Sequence, residues 1–249
     1  MTQKVVNIQR KTIMFESEFS AYLLHAPNCV QHFEKIGEQV YYPSKSIIVG
    51  PGQATEYCYM IKKGRVVSYE ILENGEECIY QIHGKGAIFL EGNVLLKRTS
   101  PIGYRTEMAS ELLRFRKKDL LSAFKESPEI SLRLIESFAV KYEASVEQIR
   151  QERNKNATWR VCNLFLSMAE QIGIDLGDRI VIPEKISQQT ILSMLGMNRI
   201  TVVRIIKRLK EEGLLEQNER KYSICDAERL LEYQKRSSNT EIQNEWWKS

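Results

Sequence analysis

The chain has 249 residues, with 36 Lys and Arg against 32 Asp and Glu, a net charge of +4. A composition of 43% hydrophobic and 27% charged residues excludes a wholly disordered chain. No run approaches the roughly 18 consecutive apolar residues of a spanning helix, which excludes a helical membrane protein. The mild basic excess admits nucleic acid without requiring it. The segment Met1–Phe15 lacks an apolar core followed by a small-residue cleavage site, so a cytoplasmic protein is expected. Cys29, Cys58, Cys78, Cys162 and Cys225 form no CxxC pair, and His25, His32 and His83 are equally scattered. Metal sites need clustered ligands, so neither a metal nor a cofactor is expected, and the thiols read as reduced.

From about Val40 to Phe115 the pattern is short β-rich runs cut by glycine. Examples are Ser46–Val49, Tyr57–Ile61, Arg65–Glu70, Glu77–Ile82, Ala87–Leu90 and Leu112–Phe115. Asn74-Gly75 is the strongest hairpin signal, with positive φ expected at both central positions of its turn. Closely spaced strands with such turns predict a barrel or jelly roll.

Strand signals stop at Pro128, which suits the first turn of a helix capped by Ser127. Ile135, Phe138, Tyr142, Ser145 and Ile149 then recur in alternating steps of three and four, the spacing of a coiled-coil seam. They read either as a dimer seam or as a helix packed on its own domain. The polar stretch Glu152–Asn156 reads as a helix end or hinge and as the domain boundary. Helical periodicity resumes at Val161, Leu164, Phe165, Met168 and Ile172, and Gly173 and Gly177 end it. The spans are thus 1–127, a β-roll; 128–155, a dimerisation helix and hinge; 156–236, a DNA-binding domain; and 237–249, a tail. The tail's Trp246-Trp247 pair reads as docking on a partner or on its own chain.

The segment Ile186–Leu209 carries the sharpest signal. Ser187 can cap a short helix starting at Gln188-Gln189, with Ile191, Met194 and Leu195 inward. Gly196 supplies the turn. Asn198 can cap a second helix whose inward face is Val202, Ile205, Ile206 and Leu209. Arg199, Arg204, Lys207, Arg208 and Lys210 face outward, with no acid before Glu211. One apolar and one basic face suit phosphate attraction and base readout in a major groove. Gly213 stops the helix, and Leu214–Gln217 with Tyr222–Ile224 reads as a β-wing. No nucleophile–base pair, phosphate loop or metal cluster stands out, so an enzyme is not expected.

Both halves resemble one family. IVGPGQATEYCYMIKKGRV, Ile48–Val66, resembles the strand–turn–strand of the Crp/Fnr cyclic-nucleotide-binding-like jelly roll. Gly86–Asn93 resembles its phosphate-cassette region, and Ile186–Leu209 matches its DNA-binding motif. The resemblance implies an α+β regulator with an N-terminal β jelly roll, a long dimerisation helix and a C-terminal winged helix-turn-helix. It also implies a homodimer on palindromic double-stranded DNA, activation through RNA polymerase, and a small-molecule effector. Ser187, Gln188, Gln189, Asn198, Arg199, Ile200, Thr201, Val203, Arg204, Lys207 and Arg208 are the implied DNA-binding set.

The sequence departs from cyclic-nucleotide members, which hold ribose and phosphate with a Gly-Glu pair and a later Arg-Ser/Thr step. Leu90-Glu91 stands at the first, Gly103-Tyr104 at the second, and Arg105-Thr106 is a displaced arginine–hydroxyl pair. The chain is most similar to the branch regulating halorespiration. That likeness rests on Ile200 in the base-reading glutamate slot and on Lys141, placed where a lysine meets a phenolic acid. Lys141, Glu91, Tyr104 and Arg105 are therefore the effector-site candidates. An ordinary solvated lysine is the alternative for Lys141, and an effector-free or cyclic-nucleotide-responsive regulator is the alternative for the whole chain.

Overall fold

The computed structural model describes residues 23–24 and 30–237. Met1–Phe15, His25, Cys29 and the Trp246-Trp247 pair lie outside the described residues.

The N-terminal part is a two-sheet β-roll flanked by short helices. It runs β1 (Leu23–Leu24), α1 (Val30–Phe33), β2 (Glu38–Tyr42), β3 (Ile47–Val49), β4 (Tyr57–Lys63), β5 (Val66–Ile71) and β6 (Glu77–His83). It continues β7 (Ile88–Phe89), α2 (Glu91–Leu96), β8 (Gly103–Thr106), β9 (Ser110–Arg116) and α3 (Lys117–Glu126). One sheet has the order β1-β6-β5-β8-β3, the other β2-β9-β4-β7. Between them lie Tyr59, Ile61, Val66, Phe89, Leu90 and Leu112, all buried. Opposite faces of β4 and β9 send Cys58, Met60, Leu113 and Phe115 to a second cluster under α1, α3 and the next helix, as strand alternation requires.

The β5–β6 hairpin forms where Asn74-Gly75 stands, but its turn differs from the expected one. Gly75 N donates to Leu72 O, and only Gly75 of the pair has positive φ, at 80°. This is a tight turn closed by a left-handed glycine, the three-residue solution to a hairpin. The turn with positive φ at both central residues sits in the C-terminal domain, at Glu219 and Arg220.

α4 (Pro128–Asn154) is about 40 Å long at 1.5 Å per residue. It buries Ile130, Leu134 and Ala144 against its own chain. The other face leaves Ile135, Phe138, Tyr142, Val146 and Ile149 exposed, with Tyr142 at 71% and Ile135 at 63%. At 100° per residue these five fall within an arc of roughly 80°. Val146 completes that stripe better than Ser145, whose hydroxyl donates back to Lys141 O.

The C-terminal domain comprises α5 (Ala157–Ile172), β10 (Ile174–Asp175), β11 (Ile180–Val181), α6 (Gln188–Leu195) and α7 (Arg199–Glu211). It ends with β12 (Leu215–Asn218), β13 (Lys221–Ile224) and α8 (Ala227–Ser237). Its strands pair in the order β10-β11-β13-β12. Its core, centred on Phe165, Leu209, Tyr222 and Leu230, is continuous with Val67, Ile79 and Ile82 of the β-roll. Arg65, in the β4–β5 turn, bridges the two parts by a bidentate pair with Glu184 and a 3.2 Å contact to Glu107.

Candidate functional site

Two regions bring the candidate residues together. The first is built on α6 and α7. Ser187 Oγ accepts from Thr190 N at 3.0 Å, capping α6. Gly196 then turns the chain at φ 57°, a conformation that disfavours any residue with a Cβ. Asn198 Oδ1 accepts from Ile200 N at 2.9 Å and starts α7. Val202, Ile205, Ile206 and Leu209 are buried, so the opposite face is fixed toward solvent.

That face carries Arg199, Ile200 and Arg204 in the open, with Ile200 67% exposed. Neither arginine has an ion-pair partner among the described residues. Lys207 and Arg208 are exposed, and Lys207 lies 3.6 Å from Glu211 one turn on. Thr201 and Val203 are half-buried, and Gln188 and Gln189 are exposed at the first turn of α6. Ser187 acts as a cap, with its hydroxyl also 2.8 Å from Thr190 Oγ1. Lys210, expected outward, is drawn onto the wing. Its ammonium donates to Gln217 Oε1 at 2.6 Å and lies 5.8 Å from the Tyr222 ring.

The second region lies between the β-roll and α4. Lys141 Nζ pairs with Glu91 and donates to Ile88 O at 3.0 Å. It also sits 5.3 Å over the Phe138 ring. Burial pushes the Lys141 ammonium down to about 7, partly opposed by the Cys58 thiol nearby. The Glu91 side chain is 3% exposed. Lys141 is thus no solvated surface lysine. Leu90, in the family's glycine slot, keeps a left-handed backbone at φ 63° and is buried. Such a conformation costs a leucine about 1–2 kcal/mol, so the surrounding barrel must hold it.

Tyr104 reaches the same neighbourhood, stacked on Phe89 at 5.2 Å and floored against His83 at 5.9 Å. Burial pushes its phenol up to about 12. Tyr104 also lines an open groove with Gly92, Leu96, Arg98, Ser100 and Ile102. Arg105 does not join this group. Its guanidinium is bidentate to Glu77 at 2.8 Å and lies 5.4 Å over Tyr69. The adjacent Thr106 hydroxyl donates to Pro43 O at 2.6 Å. Neighbours on a strand face opposite ways, so the displaced arginine–hydroxyl pair is structural and offers no phosphate clamp.

Sequence reasoning missed His83 and Phe89 as neighbours of Tyr104, Arg98 beside the groove, and the Arg65–Glu184 bridge. The bridge joins residues 119 apart and leaves no local signal. Val146 was detectable, four residues after Tyr142. Among the described residues no cluster of His, Cys, Asp and Glu could hold a metal ion. No helix among them is long and apolar enough to cross a membrane.

A β-roll effector-binding domain, a long helix and a winged helix-turn-helix with a basic reading face together define a DNA-binding transcription regulator. Comparison with known proteins places that class in a family. Residues 39–127 match the cyclic nucleotide-binding domain, and residues 160–233 match the Crp-like helix-turn-helix domain. The chain belongs to the Crp/Fnr family of transcription regulators, which are not enzymes. It is 28% identical over 184 residues to the cAMP-activated global transcriptional regulator CRP of Salmonella typhimurium, covering 70% of this chain and 83% of that protein. It is 25% identical over 207 residues to the global nitrogen regulator of Synechocystis, covering 77% and 89%. Among solved structures, a CooA mutant from Carboxydothermus hydrogenoformans superposes with a TM-score of 0.75 at 20% identity, covering 87% of this chain and all of that one. CprK complexed with OCPA superposes at 0.64 with 19% identity, covering 80% and 92%. These likenesses fix the fold and the family and resolve no branch within it.

Proposed function

We propose that this chain acts in the cytoplasm as a homodimeric activator that reads a two-fold palindromic DNA site and contacts RNA polymerase. In this reading residues 1–127 sense, 128–155 pair two copies through the stripe on α4, and 156–236 read DNA. The observation that carries the reading is the solvent-facing set Arg199, Ile200 and Arg204 on a capped helix with a buried apolar back. An arginine pairs in bidentate fashion with O6 and N7 of guanine, whereas an isoleucine suits a thymine methyl. Lys207 and Arg208, further along, meet phosphates, which position without specifying.

Binding selections test this. Arg204→Ala should cost about 1–3 kcal/mol and relax one base position. Lys207→Ala should weaken all sequences alike and flatten the salt dependence by about one unit. Uniform loss with unchanged base preference in Arg204→Ala would refute the readout.

The proposed effector is a small aromatic anion held between β-roll and α4 beside Lys141, Glu91 and Tyr104, as in the halorespiration-regulator branch. Burial of an ammonium in this place supports it, since such a group needs an anion. One observation favours a second reading: Glu91 already supplies that anion. The second reading is the same DNA-binding chassis without a small-molecule effector. A thermal-shift screen with aromatic acids, phenols and nucleotides separates the two, because a ligand of the folded state raises the melting temperature.

A further inference from the structure

The barrel interior holds one polar side chain whose presence the architecture does not require. His83 ends β6 and is 2% exposed, and neither Nδ1 nor Nε2 has a hydrogen-bond partner among the described residues. Each buried polar atom left unsatisfied costs about 1–3 kcal/mol. A leucine would fill the position without that cost.

The surroundings are organised. The imidazole lies 5.7 Å from the Phe89 ring and 5.9 Å from the Tyr104 ring. Phe89 is itself stacked between Tyr104 and Tyr59, at 5.2 and 5.3 Å. β7 is only two residues long. Ile88 presents its carbonyl to Lys141, and Phe89 presents its ring to His83. One short strand therefore touches both an ammonium and an imidazole, and Tyr104, whose ring neighbours His83 and Phe89, also lines the open groove.

His83 cannot serve as a second cation. Burial and the neighbouring Lys141 charge both oppose its protonation and pull its pKa down to about 3. A neutral imidazole offers one donor and one acceptor, and no charge.

We propose that His83 is a specificity-determining residue of the effector site, its ring nitrogens hydrogen-bonding an uncharged polar substituent of an aromatic acid whose single acidic group meets Lys141. The inference rests on the effector reading above. It narrows that reading from aromatic anions in general to monoanions with a second, neutral hydroxyl or carbonyl. A second negative charge on the ring would face an imidazole unable to neutralise it.

The test uses the full chain with ¹⁵N-labelled histidine and five probes: benzoate, 3-hydroxybenzoate, 4-hydroxybenzoate, 4-hydroxyphenylacetate and isophthalate. Calorimetry reads affinity, and NMR reads the His83 nitrogens. At least one hydroxy acid should bind about tenfold more tightly than benzoate, the worth of one hydrogen bond. It should also move the His83 nitrogen resonances, and isophthalate should gain nothing over benzoate. His83→Leu should erase the hydroxyl preference, so that hydroxy acids and benzoate bind alike. A preference that survives in His83→Leu overturns the proposal. So does probe binding that leaves the His83 nitrogens of the wild-type chain unmoved, which needs no variant to fold and leaves the effector reading standing. Nitrogens already hydrogen-bonded in the free protein and indifferent to every probe would assign an internal water instead. Failure of all five probes to bind overturns the effector reading, and this inference with it.

Discussion

The Lys141–Glu91 pair is the most exposing test of how the β-roll and α4 are joined. Its side chains are 20% and 3% exposed, so removing either partner strands an ion in a largely dry place. Breaking a buried pair from one side costs about 3–5 kcal/mol, whereas replacing both members by apolar groups is close to neutral. Glu91→Leu and Lys141→Met should therefore each lower stability by about 3 kcal/mol or more. The double variant should return to within about 1 kcal/mol of wild type, the remainder being the Ile88 carbonyl that loses its donor. The coupling between the sites is then about 3–5 kcal/mol. Urea unfolding of the four chains at pH 7 measures it, provided the denaturant slope is shared. Strictly additive single effects, or single costs under about 1 kcal/mol, would mean a solvated pair and refute the argument.

Three further outcomes follow. His83 titrates near 3 in the folded chain and near its ordinary 6.5 when unfolded, so stability should be lost as pH falls below 6.5, by up to about 1.4 kcal/mol per unit; His83→Leu should flatten that acid limb in denaturant titrations. Glu219-Arg220 replaced by Asn-Gly should raise stability by about 1–2 kcal/mol, since both residues sit at positive φ in a two-residue hairpin, and an unchanged melting midpoint would contradict it. Tyr142→Asp should leave the fold intact, Tyr142 being exposed on its own chain, yet yield monomers in sedimentation by burying charge at the α4 stripe; a variant that stays dimeric would reject the stripe. Tyr142 is a cleaner target than Phe138, whose ring lies under the Lys141 ammonium.

The sequence carried local information well and distant information poorly. Ser187, Gly196 and Asn198 announce the two helix boundaries because capping is decided within three or four residues. Strands of the β-roll were legible where β-branched and aromatic residues clustered between glycines, but β2, with Val40, Tyr41 and Tyr42, was passed over. β8 was missed because Gly103–Thr106 holds one aromatic and no aliphatic residue, and its place depends on β3 and β5, far away in sequence. The wing was placed correctly, but its tight turn is built from Glu219 and Arg220, which carry no turn signature. Here tertiary packing overrides local preference. Of the effector candidates, Lys141, Glu91 and Tyr104 lie around β7, while Arg105 turns to Glu77, a pairing decided by strand register across 28 residues.

The cluster shared by β6, α5 and α6 limits how the DNA-reading head can move. Ile79 and Ile82 are 5% and 1% exposed because Leu164, Met194 and Leu195 cover this side of the sheet. Swinging the head away would wet both isoleucines and open the Arg65–Glu184 bridge, at about 1.5–3 kcal/mol for each side chain fully uncovered. The head is therefore a lid on the barrel as much as a reader of DNA. Any signal that reorients it must either supply new apolar cover for β6 or slide the two surfaces without separating them. The same adhesion should make the two halves melt together, as one calorimetric transition. A head expressed alone would carry, on α5 and α6, an oily patch that its own barrel had hidden.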